Sequence, residues 1–148
     1  LVNQLTTNCR QVLTSSMAAV SGPGQRPLNR EYFTIKDWNT ESTPNSEKWG
    51  LSYQWSKLEA ERQALALCEQ DRIPLTVMNP SFILGPALGK SKSFSLTLVE
   101  EWIRGKSPVQ SRLYADVRDV AKAHVAAGWT PASIKSRRII VSSERRTP

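Results

Sequence analysis

Tyr53 and Lys57 stand four residues apart in a stretch with helical patterning, so on an α-helix they lie one turn apart on the same side. A protonated amine beside a phenol stabilises the phenolate, which makes such a tyrosine a competent general acid or base. The motif is short, and a half-buried tyrosine beside a solvated lysine has the same spelling. A second chemical group comes from Ser15 and Ser16, which close the β-prone run Gln11-Val12-Leu13-Thr14. Open parallel sheets place their sites outside the carboxyl ends of their strands, where a hydroxyl can donate to a substrate carbonyl oxygen. Satisfying backbone groups at a strand end is the commoner fate of a serine.

These residues need elements to hold them. Residues 11–16 read as a buried strand, and the Pro-, Gly-, Asn- and Ser-rich stretch from about 21 to 50 as a long irregular connection. Helical patterning runs from Ser52, a plausible N-cap, to Asp71, with Pro74 forbidding continuation. Tyr53, Lys57, Ala60, Ala64 and Leu67 fall on one side of that helix, and its central alanines suit a close approach to a sheet. Leu75-Thr76-Val77-Met78 reads as a second strand and Arg138–Ser142 as a third. Strand, loop, helix, strand is a βαβ unit, which implies a parallel sheet. A helix is expected over 95–105 and another after Asp116, with Val117, Val120, Ala121, His124 and Val125 as its apolar stripe. His124, on that stripe, reads as a packed residue rather than a catalyst.

Composition removes several classes of function. The chain has 148 residues, one His and two Cys, Cys9 and Cys68, which excludes zinc fingers and disulfide scaffolds and leaves no metal site to expect. Both cysteines read as reduced small hydrophobes. No apolar run approaches the ~18–20 residues that span a bilayer, so a soluble, cytoplasmic protein with no membrane partner is expected. The net charge of +7 invites a nucleic-acid reading, but residues 135–148 carry more than half of it. Arg137, Arg138, Arg145 and Arg146 flank a strand candidate with no aromatic nearby in sequence, so they read as solvated surface and no nucleic-acid partner is expected.

Taken together, Leu13-Thr14-Ser15-Ser16-Met17-Ala18-Ala19-Val20, Asp37-Trp38-Asn39, Tyr53 to Glu61, Asn79-Pro80-Ser81 with Gly85-Pro86, and Asp116-Val117-Arg118-Asp119-Val120-Ala121 with Ala123-His124 form an ordered set of blocks. This set resembles the extended short-chain dehydrogenase/reductases of the NAD-dependent epimerase/dehydratase superfamily, nearest to the dihydroflavonol reductase and cinnamoyl-CoA reductase group. The resemblance implies an α/β fold: the C-terminal half of a Rossmann-type parallel sheet with flanking helices, plus the start of a smaller substrate-binding lobe. It implies hydride transfer between NADP and a carbonyl or alcohol carbon of a small molecule, with NAD not excluded. Carried over by position, Tyr53 protonates the carbonyl oxygen, Lys57 holds the nicotinamide ribose hydroxyls, and Ser16 polarises the carbonyl, with Ser15 as the alternative. Pro80 and Ser81 would then pack against the nicotinamide end of the cofactor.

The family pattern also has a glycine-rich turn for the cofactor pyrophosphate, and no Gly-x-x-Gly-x-x-Gly occurs in this sequence. Residues 1–148 are therefore expected to be part of an NAD(P)-binding domain lacking its first βα units, with about 87–115 contributing to the substrate lobe. Alone they are not expected to hold the cofactor or to be active. Two alternatives remain: a nucleotide-sugar epimerase or dehydratase using the same three residues, and a non-catalytic basic binding module. Substrate identity and oligomeric state are not legible.

Overall fold

The computed structural model describes residues 10–45, 50–89, 93–108 and 112–143, together with the backbone of 145–146. In chain order the elements are β1 (Gln11–Thr14), a 3-10 turn over Met17–Ala19, α1 (Leu51–Gln70), β2 (Leu75–Pro80), β3 (Phe82–Leu84), α2 (Phe94–Ile103), β4 (Arg112–Asp116), α3 (Val117–Gly128), β5 (Arg137–Val141) and β6 (Arg145–Arg146). One sheet has the order β1-β2-β5 and is wholly parallel, with Gln11 opposite Leu75 and Thr76 opposite Arg137. A second has the order β3-β4-β6, with β3 and β4 parallel and β6 antiparallel to β4. The βαβ unit expected from the sequence is therefore present, and β2 lies at the centre of its sheet with all six residues buried.

Side-chain alternation fixes where the helices lie. Consecutive residues of a strand face opposite sides of the sheet. Thr14 Oγ1 meets His124 Nε2 on α3 at 2.8 Å, whereas Ser15 Oγ donates to Glu61 on α1 at 2.5 Å. The two helices thus cover opposite faces, giving three layers. His124 Nδ1 also lies 2.8 Å from the Val120 carbonyl oxygen of its own helix, so one ring nitrogen is anchored within α3 while the other ties α3 to β1.

Several elements differ from the sequence expectation for identifiable reasons. Helix α1 begins at Leu51, capped by Gly50 in the left-handed region (φ 90°), so Ser52 is not the N-cap. Its inward side runs through Gln54, Leu58, Glu61, Leu65 and Cys68, one residue round from the expected line, and leaves Ala60 and Leu67 exposed. The helix rolled this way because a charged residue, Glu61, is fully buried. On α3 the inward positions are Val120, His124 and Ala127, while Ala121 and Val125 face solvent. Asp116 caps α3 as expected, accepting from Arg118 N at 2.8 Å, and its bonds to the Arg118 guanidinium hold its carboxyl well below the usual carboxylate range. Strands β3, β4 and β6 are additional to the three strands expected from the sequence.

In the basic C-terminal region Arg137 is exposed as expected, but Arg138 is not. Arg138 is 8% exposed and its Nε donates to Glu61 Oε1 at 2.5 Å. Its guanidinium carbon lies 3.7 Å from the centroid of the Trp38 ring. The aromatic that is distant in sequence is adjacent in space, brought there by the loop between β1 and α1, so Arg138 is an internal cation and not solvated surface. Cys68 is a free thiol, pushed up from its ordinary pKa by burial and by the nearby Asp71 carboxylate, which suits an inert packed cysteine. Cys9 lies outside the described residues.

Candidate functional site

Ser16 lies two residues beyond the end of β1 and is the N-cap of the 3-10 turn, its Oγ accepting from Ala18 N at 3.1 Å. A hydroxyl used this way has given up a lone pair and keeps its proton to donate. Ser15 is placed differently: it is buried and its proton goes to Glu61. Only Ser16 has a hydroxyl available at the carboxyl end of β1.

Helix α1 packs against the 3-10 turn that Ser16 caps. Near the start of α1, Tyr53 has 54% of its surface exposed, and Lys57 Nζ stands 5.9 Å from the centroid of the tyrosine ring. The four-residue spacing has therefore put an ammonium beside the phenol near the N-terminal end of α1. The irregular loop is tied into the same region by Asn39, which is 1% exposed. Asn39 Nδ2 donates to Ala18 O and to Ser42 Oγ, both at 2.8 Å, and to Gln54 Oε1 at 3.3 Å, while Asn39 N donates to Ala19 O. One asparagine thus links the Ser16 turn to the residue next to Tyr53.

At the carboxyl end of β2, Pro80 is the last strand residue and Ser81 N donates to Val141 O at 3.0 Å. Ser81 Oγ and Asn79 Oδ1 are both buried and have no hydrogen-bond partner among the described residues. Unpaired buried polar atoms are costly and call for a partner. Asn79 is fully buried, whereas Ser81 is only half-buried at the strand's carboxyl end, where its hydroxyl fits a polar ligand group such as a carboxamide.

Neither Glu61 nor Arg138 is among the site residues expected from the sequence, and Arg138 reads there as surface. A detectable signal existed: Glu61 interrupts the apolar line Leu58, Leu65 and Cys68 at helical spacing, and a charge in such a line needs an internal partner. Farther along, a cavity of about 420 Å³ is lined by Phe94, Leu98, Trp102 and Arg112, within the segment expected to enter a substrate lobe.

A parallel sheet between two helix layers, with its polar side chains gathered at the carboxyl ends of the strands, is the architecture of Rossmann-like nucleotide-binding proteins. The model of the NAD dependent epimerase/dehydratase family matches residues 4–141, and the chain belongs to that family. It is 32% identical over 143 residues to cinnamoyl-CoA reductase 1 of Arabidopsis thaliana, covering 92% of this chain and 39% of the relative. It is 30% identical over 141 residues to tetraketide alpha-pyrone reductase 2 of the same plant, covering 90% of this chain and 41% of the relative. It resembles the crystal structure of yeast methylglyoxal/isovaleraldehyde reductase Gre2 complexed with NADPH, with a TM-score of 0.77 and 32% identity over 92% of this chain and 44% of that one. The chain spans less than half the length of these relatives. No helix among the described residues is long and apolar enough to cross a membrane.

Proposed function

We propose that the protein carrying this chain is an NADP-dependent reductase of small-molecule carbonyl compounds, working reversibly on the alcohols. The carrying observation is the Lys57 ammonium beside the Tyr53 ring on the helix that packs on the turn capped by Ser16. Ser16 donates a hydrogen bond to the substrate carbonyl oxygen, and its capping role fixes the direction of the hydroxyl. Tyr53 delivers a proton to that oxygen as the carbonyl carbon is reduced. The Lys57 charge favours the phenolate left behind and binds ribose hydroxyls of the cofactor.

Pro80 and Ser81 hold the nicotinamide end, where the unpartnered Ser81 hydroxyl meets a carboxamide. The cofactor, when bound, supplies the hydride. NADPH in the Gre2 structure supports NADP as the cofactor. Residues 87–115 contribute to the substrate-binding lobe, and the cavity at Phe94 and Trp102 supports that division.

The test is NADPH oxidation with a panel of aldehydes and ketones. Tyr53→Phe should lower kcat by about 10²–10⁴-fold, the usual contribution of a positioned acid, without loss of fold, since the residue is half exposed. Unchanged turnover in that variant, or interconversion of sugar nucleotides without net NADPH consumption, would overturn the reading.

A further inference from the structure

Three elements must keep a fixed mutual placement for the proposed chemistry: the Ser16 turn, the helix bearing Tyr53 and Lys57, and the end of β2. All three meet at one buried carboxylate. Glu61 lies two helical turns beyond Tyr53 and is 0% exposed. Its Oε2 accepts from Ser15 Oγ at 2.5 Å and from Asn79 Nδ2 at 2.7 Å, and its Oε1 accepts from Arg138 Nε at 2.5 Å. The same Asn79 amide nitrogen donates to the Ser16 carbonyl oxygen at 3.1 Å. A short chain of bonds therefore runs from α1 through Asn79 to the main chain of Ser16. Arg138 extends it to the loop before α1, donating to Ile35 O at 2.7 Å and Asp37 O at 2.6 Å.

We propose that Glu61 is a positioning residue that sets the Ser16 turn against the helix carrying Tyr53 and Lys57, with Asn79 as the bridge; this rests on the catalytic reading above. A buried ion pair is a poor stabiliser compared with well-packed apolar residues of the same volume. Its use at the junction of these elements is explained by geometry: every partner of the carboxylate is a donor, and each donor belongs to a different segment. An amide in its place offers one acceptor oxygen and turns an N–H toward a donor. A leucine offers none.

Two double variants separate positioning from folding. Glu61→Gln with Arg138→Met keeps an acceptor for Ser15 and Asn79 and drops the ion pair. Glu61→Leu with Arg138→Met also drops the pair but removes the acceptor. The first should keep kcat near wild type. The second should lose about 10²-fold in kcat, the cost of a displacement of about 1 Å, with little change in KM, and should show faster amide exchange at residues 16–20. Equal kcat and equal exchange in the two folded variants would overturn the proposal. Where the leucine variant does not fold, Asn79→Ala, which removes the bridge from Glu61 to the Ser16 carbonyl, decides: faster exchange at residues 16–20 supports the proposal and unchanged exchange refutes it. If the wild type turns over no carbonyl substrate, the reductase reading fails while the exchange comparison still decides the positioning role.

Discussion

The Arg138 guanidinium is held between the Glu61 carboxylate and the face of Trp38, 2.5 Å from the former and 3.7 Å from the latter's ring centroid. Removing only the cation leaves a fully buried carboxylate without its counter-charge, a loss of about 3–5 kcal/mol. Arg138→Met should therefore lower the urea midpoint strongly, and adding Glu61→Leu should recover most of the loss. A single variant as stable as wild type would show that water reaches Glu61.

The two adjacent serines should separate cleanly. Ser15→Ala removes a buried donor from Glu61 and should cost about 1–3 kcal/mol of stability. Ser16→Ala loses one capping bond on an accessible turn, about 0.5–2 kcal/mol, and, on the proposed chemistry, should depress kcat far more than thermal stability. Melting curves paired with NADPH oxidation rates measure both, and the reverse pattern would make Ser15 the reacting hydroxyl.

Gly85 ends β3 with φ at 145°, in the region that favours glycine, and a Cβ there would run into Val117 Cγ1 at the start of α3. Val117 is β-branched and cannot swing aside freely. Gly85→Ala should destabilise by about 1–3 kcal/mol, read as a lower Tm. Trimming the obstacle with Val117→Ala should relieve part of the loss.

Asp37 supplies an acid-sensitive link in the loop between β1 and α1. Burial alone would raise its carboxyl pKa, but bonds from the Thr34 backbone N–H and hydroxyl, together with the Arg30 guanidinium, outweigh that and hold it below the usual value. A depressed folded value means that the contribution is fully present above the unfolded pKa of about 3.9 and is lost as pH falls through the folded value. Wild type should exceed Asp37→Asn in stability at neutral pH, and the gap should close as pH falls below about 4. A gap constant from pH 7 to pH 3 in urea titrations would show that the carboxylate's charge is not what holds the loop.

Local chemistry made much of this protein legible. The β-prone run ending at Ser16, the Tyr53–Lys57 spacing, the stop at Pro74 and the Asp116 cap depend on neighbours within a turn or two, so they could be read directly. They carried the βαβ order and the candidate residues. Sheet order, the roll of α1, and the fates of Glu61 and Arg138 depend on partners 77 residues apart. Apolar periodicity treats a charge as surface, because the cost of burying it is visible and its compensating partner is not. Only the tertiary fold brings Arg138, Ser15 and Asn79 around Glu61, and that meeting decided which side of α1 faces the sheet. It also decided which of the two serines keeps a hydroxyl free to act.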